Sequence, residues 1–450
     1  MKNIETPPDF RTEIMADPHA FERVQPLMAR MGHEKEYLHW DKLKRLPPPE
    51  GFTSKEWWAA LKIGRLAILN SVALKDKQGR PFRLCTPDKV QRLLHEIDLG
   101  AGGKINLPAE FVNPHMRDRY LVSSLMQEAI TSSQLEGAVT TREVAKDMLL
   151  SGRRPRDESE QMILNNYATM KRIQEVQHQP LSEELVLSLH ASVTEHTLEK
   201  PEAAGRYRLP SEDIKISDNE GEVFHVPPPA EELPARMKAM CAFANGETPS
   251  YFLHPVIRAI VLHFWLAYDH PFVDGNGRTA RALFYWSMLR QEYWLFEFIS
   301  ISDILRQAPA KYARAFLYSE TDDNDLTYFI VYQAEVIHRA IKALHQYIER
   351  KRAEVQAGEE LLRNWAHFNH RQVALLSHAM RHPGRIYTIE GHQNSHGTVY
   401  ETARRDLLGL AEAGLLEEKI RGRTKTYRTP KDLQERIQKH DSKRKLLDSL

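Results

Sequence analysis

Residues 270–281 read HPFVDGNGRTAR, and this stretch decides how the rest of the chain is interpreted. It follows the apolar run IVLHFWLAYD at 260–269, which predicts a helix through the core that ends at the proline. Gly275 and Gly277 then permit left-handed backbone and leave amide groups bare, directly before a new helix that opens at Arg278. The sequence therefore predicts an anion-binding turn at a helix N-terminus.

The same stretch combines several groups that handle phosphate. His270 supplies a titratable imidazole, and Asp274 supplies a carboxylate for a hard cation. Arg278 and Arg281 lie three apart, so they share one helical face and can grip phosphate oxygens. No GxxxxGK[ST] motif is present and no strand precedes the glycines, which excludes a Walker P-loop and a dinucleotide fingerprint. The alternative is a structural turn between two helices.

The stretch resembles the signature of the Fic family, H-x-F-x-[D/E]-G-N-G-R-x-x-R. Every fixed position is matched, by His270, Phe272, Asp274, Gly275, Asn276, Gly277, Arg278 and Arg281. The resemblance extends over about residues 120–348 and implies a mainly α fold, a Fic-type helical core with a β-hairpin flap. It implies a protein adenylyltransferase, which moves AMP from ATP onto a Ser, Thr or Tyr hydroxyl of a target protein and releases pyrophosphate.

The resemblance also implies a role for each matched residue. His270 would be the general base that deprotonates the target hydroxyl, and Asp274 would hold Mg²⁺ against the α- and β-phosphates of ATP. The implied ATP and phosphate contacts are Gly275, Asn276, Gly277, Arg278 and Arg281, with Tyr312 on the adenine side of the pocket. The adenine side of the pocket also includes the position of Glu320, where several relatives carry asparagine.

Residues 132–137 read SSQLEG and close a predicted helix. A glutamate at that end is locally unfavourable, because the helix macrodipole is negative there, and broken local rules often mark function. The run resembles the inhibitory pattern [S/T]-x-x-x-E-[G/N] of the Fic family through Ser132, Glu136 and Gly137. The resemblance implies that Glu136 pairs with Arg281 and blocks the productive seat of the γ-phosphate. The reverse reaction, removal of AMP from a target, stays open.

Residues 205–229 predict a β-hairpin, because two short extended runs flank the turn residues Asp218, Asn219 and Gly221. In the family such a hairpin is the flap that holds an extended target segment by strand addition. The flap residues expected to dock the target are Ile214, Lys215, Ile216, Val223 and Phe224. A plain surface loop is the alternative.

The C-terminal unit predicts three helices followed by a hairpin, which suggests a winged helix. The segment KIRGRTKTYR at 419–428 has five basic residues and no acidic one. The candidate DNA contacts are Arg404, Arg405, Arg421, Arg423 and Lys425. A solvated interaction or dimerisation unit is the alternative, so a homodimer also stays open.

Composition limits which classes of function the sequence favours. The chain has 450 residues, 42% hydrophobic and 27% charged, with a formal net charge of +1, so any nucleic-acid role is regional. Two distant cysteines, no basic-then-apolar N-terminus and no long apolar window predict a cytoplasmic protein without a membrane partner. A metallohydrolase built on His254, His263 and Asp269 is disfavoured, because no HExxH motif is present.

The sequence thus predicts five regions. They are 1–103 without an assigned role, 104–180 with an inhibitory helix over about 117–137, a Fic core at 181–365, a winged helix at 366–432 and a tail at 433–450. Two functions compete. The first is a self-inhibited adenylyltransferase that uses ATP and Mg²⁺, and the second is a DNA-binding regulator whose Fic core only senses a nucleotide.

Overall fold

The computed structural model describes residues 4–15, 19–28, 36–101, 114–217, 221–363, 368–382, 384–421, 424–433, 435–437 and 439. The fold is mainly helical, as the sequence predicts. The first helices are α1 (Phe10–Met15), α2 (Ala20–Met28), α3 (Trp40–Leu43), α4 (Ser54–Leu66), α5 (Asp88–Ala101), α6 (Pro114–Leu135), α7 (Arg142–Ser151), α8 (Glu158–Val176) and α9 (Glu183–Val193). The next are α10 (Leu233–Ala244), α11 (Pro255–Asp269), α12 (Asn276–Arg290), α13 (Ile301–Arg306), α14 (Pro309–Thr321), α15 (Thr327–Arg363), α16 (His370–Arg381), α17 (Ile389–His396) and α18 (Tyr400–Glu412).

The described strands are short and form three small antiparallel sheets. They are β1 (Asn70–Lys75) with β2 (Pro81–Leu84), β3 (Ile216–Ser217) with β4 (Val223–His225), and β5 (Ile386–Thr388) with β6 (Glu417–Arg421) and β7 (Thr424–Arg428). None of the helices in the described part of the chain combines the length and apolarity that crossing a membrane requires.

The chain divides into two compact units, Met1–Leu344 and His345–Leu450. The division falls within α15, whereas the sequence predicts a boundary after residue 365. The first unit also takes in the N-terminal region, because Val72 of β1 and Leu84 of β2 join the same apolar core as α11 and α12. The N-terminal region is therefore part of the body that carries the candidate site.

Helices α11 and α12 form the centre of the first unit. Helix α11 is mostly apolar and buried on nearly all sides, and residues such as Ile260, Leu262 and Leu266 are fully buried, as expected of a helix that crosses a core. Helix α12 buries Phe284 and Trp286 completely. Because these two helices are buried in the core, the loop between them at 270–275 is held between two packed segments.

The flap is shorter than the sequence predicts. Strand β3 begins only at Ile216, so Ile214 and Lys215 precede it instead of lying within it. Strand β4 leaves Val223 47% exposed, which gives the flap an accessible apolar residue. Asp218 and Asn219 of the predicted turn lie outside the described residues.

The second unit contains the three predicted helices, α16 to α18, and the predicted hairpin of β6 and β7. It adds β5, so the strand order is β5-β7-β6. Its small core includes Leu376, Leu407 and Tyr427. The buried Asp406 accepts hydrogen bonds from Asn369 and Arg371, which ties the start of α16 to α18.

Candidate active site

His270 ends α11 in the left-handed conformation, with φ of 44°. Its Nδ1 lies 3.3 Å from the carbonyl oxygen of Ala267, which can only accept, so Nδ1 carries the proton. Burial lowers the pKa of His270 to about 4, with the Ala267 contact opposing it. The imidazole is therefore neutral at physiological pH, and its Nε2 is the atom able to accept a proton.

Asn276 closes the loop after His270. Its Oδ1 accepts from the amide of Phe272 at 3.0 Å, and its Nδ2 donates to the carbonyl oxygen of the same residue at 2.8 Å. Asn276 is also buried, and both polar atoms of its side chain take part in shaping the loop. Its backbone amide at the start of α12 is also suited to the phosphate contact that the resemblance implies.

Both glycines of the motif have close neighbours at the position of a Cβ. Gly275 has φ of 78°, and a Cβ there would lie 2.6 Å from Cγ2 of Thr194. A Cβ on Gly277 would collide with the carboxylate of Glu136 and lie 2.8 Å from its Cδ. The carboxylate of Glu136 therefore lies against the first turn of α12, where helix amides attract anions.

Arg278 is completely buried and bonds to the protein itself. Its Nη2 donates to Oδ2 of Asp274 at 3.0 Å, and its Nη1 donates to the carbonyl oxygen of Val193 at 3.2 Å. The direct phosphate contact implied for Arg278 is not what this geometry favours, because the guanidinium instead orients Asp274. The Asp274 side chain is 53% exposed and accessible to a cation.

Arg281 lies under the end of α6. Its Nε donates to Oγ of Ser132 at 2.8 Å, and its Nη2 donates to the carbonyl oxygen of Ser132 at 3.0 Å and to Oε1 of Glu136 at 2.7 Å. Although burial acts to lower it, the pKa of Arg281 is raised by the charge of Glu136. Gly137 follows with φ of 99° and turns the chain away. The structure thus brings together the predicted inhibitory residues and the last arginine of the motif.

Tyr312 lies on the other side of Arg281, in an aromatic cluster. Its hydroxyl lies 2.7 Å from Nε2 of His263, and its ring stacks on Tyr332. Burial raises the pKa of Tyr312, so its phenol stays protonated. Tyr312 is a partly buried, neutral hydroxyl beside a cation.

The residues that a metallohydrolase would need as metal ligands are bonded to other side chains. His263 bonds to Tyr312, His254 bonds to Asp98 at 3.0 Å, and Asp269 accepts from Trp265 and Arg236. Across the described residues, no three or more His, Cys, Asp or Glu side chains are grouped so that they could hold a metal ion.

Sequence reasoning missed two residues that hold the motif in place. His190 of α9 accepts from the amide of Gly205 at 3.1 Å through Nδ1 and donates to the carbonyl oxygen of Asp274 at 2.9 Å through Nε2. Its ring stacks on Phe272, with centroids 3.7 Å apart. A signal was present, because a polar residue on the apolar face of a predicted helix must have a buried partner.

The second missed residue is Arg208. Its Nε donates to the carbonyl oxygen of His270 at 2.9 Å, its amide donates to that of Pro271 at 2.8 Å, and its Nη2 donates to that of Pro228. Nothing in the sequence distinguishes this arginine from its neighbours. It joins the segments on either side of the flap to the loop that carries His270.

The candidate DNA contacts of the second unit are paired with acids. Arg404 and Arg405 of α18 both approach Glu401, at 3.1 and 3.7 Å, and Lys425 lies 2.6 Å from Glu418. The side chain of Arg421 and all of Arg423 lie outside the described residues.

Comparisons with known proteins bear on this geometry. Residues 180–288 match the Fic/DOC family. A relative from Nematostella vectensis, named Protein adenylyltransferase Fic, is 29% identical over 220 residues, which are 48% of this chain and 48% of that protein. The Protein adenylyltransferase Fic of Drosophila melanogaster is 42% identical over 69 residues, 15% of this chain and 14% of that protein. The chain thus spans about half the length, or less, of these curated relatives.

A solved structure has a similar fold. It is a Fic family protein from Desulfovibrio desulfuricans G20, 20% identical, with a TM-score of 0.53 over 76% of this chain and 96% of that chain. The fold and the loop between α11 and α12 define a helical Fic-type domain. This chain carries a Fic/DOC family domain at residues 180–288, which contains His270 and Arg281.

Proposed function

We propose that this protein is a protein adenylyltransferase that transfers AMP from ATP to a hydroxyl of a target protein and is held inactive by its own Glu136. The observation that carries the proposal is the pairing of Glu136 with Arg281 at the first turn of α12. The matched Fic/DOC domain and the names of the relatives support the reaction class.

His270 is the group that starts the transfer. Its Nε2 takes the proton of the target hydroxyl, and the resulting oxygen nucleophile attacks the α-phosphorus of ATP. A new phosphorus–oxygen bond forms as the bond to the β-phosphate oxygen breaks, and pyrophosphate leaves. Because the pKa of His270 lies at about 4, the base is in its active, neutral form at physiological pH.

The residues around Asp274 fit a hard divalent cation. The carboxylate is half exposed, and Arg278 holds one of its oxygens from the protein side. Mg²⁺ bound there would neutralise phosphate charge and favour departure of pyrophosphate. The bare amides at the start of α12 supply further donors to the phosphates.

Glu136 acts as a built-in competitor of phosphate. Its carboxylate lies against Gly277 and takes a hydrogen bond from Arg281, the two kinds of group that a terminal phosphate would use. A hydrogen bond to a charged group contributes about 1.5–3 kcal/mol, so this contact is strong enough to hold the inactive state and weak enough to be released.

Release of the inhibition does not require α6 to leave the protein. Glu128, two turns before Glu136, is buried and accepts from Tyr285 and from the Ser300 and Ser302 hydroxyls. The body of α6 is thereby fixed, while the Glu136 side chain is 27% exposed. We infer that only the last turn of α6 moves when the enzyme becomes active.

The experiment that tests the proposal compares ATP labelled at the α- and γ-phosphates. Wild type, Glu136→Gly and the double variant Glu136→Gly with His270→Ala are incubated with each, and covalent label on the protein itself or on a lysate protein is measured. Transfer of α-label by Glu136→Gly and by neither of the other two supports the proposal. Transfer of γ-label shows phosphoryl transfer, and α-label transferred by the folded double variant excludes His270 as the base. AMP removal is tested by following loss of label once ATP has been washed away.

A second candidate function rests on the C-terminal unit. Its order of helices and strands is the one expected of a winged helix, and Arg405 of α18 is 77% exposed. DNA binding is tested by a gel shift across salt concentrations, since phosphate contacts make affinity fall steeply with salt. A nucleotide-sensing regulator would bind DNA in an ATP-dependent manner and leave no label on protein.

A further inference from the structure

The flap is fastened to the catalytic loop near both of its ends. Before β3, Arg208 bonds to the carbonyl oxygens of His270 and Pro228. At the end of β4, His225 lies 2.7 Å from the carbonyl oxygen of Tyr268 through Nε2 and 2.7 Å from Oε2 of Glu320 through Nδ1. Tyr268, whose carbonyl oxygen His225 contacts, lies two residues before His270 in the chain.

His225 uses both ring nitrogens as donors. A backbone carbonyl only accepts, and an ionised carboxylate only accepts, so the two contacts are satisfied together by the imidazolium form. Burial lowers the pKa of His225, but the hydrogen bond and charge of Glu320 outweigh it, and the pKa is raised. His225 and Glu320 thus form a partly buried ion pair between β4 and α14.

The flap needs such a support. Within the described part of the flap, which leaves out residues 218–220, strands β3 and β4 pair through Ile216 with His225 and Ser217 with Val223, with an irregular register between the two pairs. A two-stranded ribbon of this size is not stable alone in water. A cavity of about 160 Å³ is lined by β4 together with Lys77, Tyr268 and Glu320, so the packing around His225 is incomplete.

We propose that His225 is a positioning residue, which fixes β4 in register against the end of α11 so that a docked target presents its hydroxyl to His270. The proposal rests on the proposed function, because it assigns the flap to the acceptor and not to ATP. Since the register of a strand decides which side chains face which way, a loosened β4 misplaces the acceptor while leaving phosphate binding intact.

The proposal makes the transfer decline as pH rises through the pKa of His225. The groups around His225 are Glu320 from α14, Lys77 from the turn after β1, and Tyr268, Asp269 and His270 from the end of α11. Because its folded pKa is raised, His225 keeps its second proton below that pKa and loses it as pH rises through it. The bond to Glu320 is then lost, and transfer declines.

The test uses the full-length Glu136→Gly protein, so that the flap is examined without the inhibitory contact. Self-labelling with α-labelled ATP gives kcat and the KM for ATP in this parent and after adding His225→Ala, His225→Gln, Glu320→Gln or His254→Ala. His254→Ala is the matched control, because it removes a histidine–carboxylate pair at the opposite end of α11. Thermal midpoints identify any variant that fails to fold.

In the parent background, His225→Ala is expected to lower kcat by about tenfold or more, with the KM for ATP within about twofold. His225→Gln keeps a donor toward Tyr268 and is therefore expected to recover part of kcat. Glu320→Gln is expected to lower the pH at which kcat declines. The proposal is overturned if kcat is unchanged in a folded His225 variant. It is also overturned if Glu320→Gln does not shift the pH at which kcat declines. Absence of α-label in the parent overturns the proposed function itself and this inference with it.

Discussion

Oε1 of Glu136 lies 2.7 Å from Nη2 of Arg281, and the same guanidinium also bonds to Ser132 through Nε and Nη2. The arginine that the family signature assigns to phosphate is therefore already committed to a carboxylate from α6. Because a carboxylate and a phosphate compete for the same donors, binding of one excludes binding of the other.

The first prediction concerns that contact. Replacing Glu136 by glycine in the whole protein is expected to raise α-label transfer by roughly 10- to 100-fold, the range that corresponds to a charge-assisted hydrogen bond. Glu136→Gln keeps the volume of the side chain but loses its charge, so it should release the inhibition only in part. If Glu136→Gln and Glu136→Gly transfer label equally, the charge of Glu136 alone accounts for the inhibition. If the wild type transfers as much label as Glu136→Gly, Glu136 does not inhibit the transfer.

The second prediction concerns Gly277, whose added Cβ would collide with Glu136 and lie 3.1 Å from Nη1 of Arg281. Gly277→Ala is therefore expected to lower the thermal midpoint of the wild type. In the Glu136→Gly background the colliding carboxylate is gone, and alanine suits a helix better than glycine. A double-mutant cycle on unfolding free energies should give a coupling of about 1 kcal/mol or more. Additive effects would show that Glu136 does not occupy the first turn of α12 in solution.

The third prediction concerns the pH dependence of the base. Burial places the pKa of His270 at about 4, so its active form persists until pH falls toward that value. In Glu136→Gly the pKa should be lower still, because the charge of Glu136 favours the protonated ring. The rate of α-label transfer by this variant is expected to stay level between about pH 7 and pH 5. A decline centred near the ordinary histidine value of about 6.5 would contradict the buried, neutral base.

Much of the site could be predicted from the sequence because its residues are close together in the chain. The motif loop and the helix that ends at His270 follow from local pattern and spacing, whereas the position of Glu136, 145 residues before Arg281, was implied by the resemblance to the Fic family. The predicted mainly helical Fic-type fold is likewise confirmed by the structure and its similarity to a solved Fic family protein.

The partners of individual side chains could not be predicted in this way. Spacing put Arg278 and Arg281 on one helical face, yet Arg278 bonds to Asp274 and Val193 whereas Arg281 bonds to α6. The pairing of Arg281 with Glu136 was implied by the family resemblance alone, and neither bond of Arg278 was predicted, although Asp274 is four residues away and Val193 is distant in sequence. Strand β5 was missed for a similar reason, since three residues carry too little periodicity to be recognised and are fixed only by pairing with β7.

The fourth prediction concerns His190. Its Nδ1 must stay unprotonated to accept from Gly205, and burial lowers the pKa of His190 to about 4. The unfolded chain binds this proton near pH 6.5, so wild-type stability falls as pH drops from about 6.5 toward 4, by at most about 1.4 kcal/mol per pH unit from this group. His190→Phe keeps the ring against Phe272 but leaves two backbone groups unpaired, which costs about 1–3 kcal/mol at neutral pH.

The measurement for His190 is denaturant unfolding at several pH values. The stability gap between wild type and His190→Phe should narrow on acidification, because only the wild type has this proton to take up on unfolding. His95→Gln, at an exposed position of α5, is the control and should leave the pH dependence unchanged. A gap that is constant with pH would show that His190 is not a buried neutral histidine.

The fifth prediction separates Glu136 from the helix that carries it. Glu128 accepts from Ser302 through its amide at 3.1 Å and its hydroxyl at 2.5 Å, from Tyr285 at 2.9 Å and from Ser300 at 2.7 Å. Glu128→Ala leaves these donors without their acceptor and should lower the free energy of unfolding by about 2–4 kcal/mol. Glu136 still reaches Arg281 in this variant, so α-label transfer should rise by less than about tenfold.

The comparison with Glu136→Gly makes this prediction decisive. If the side chain of Glu136 is the inhibitor and α6 only its support, Glu128→Ala has the larger effect on stability and Glu136→Gly the larger effect on transfer. Glu175→Ala, an exposed glutamate of α8, should change neither. Transfer by Glu128→Ala as high as that of Glu136→Gly would instead mean that activation loosens the whole of α6, because the hydrogen bonds of Glu128 would then be the restraint that activation has to break.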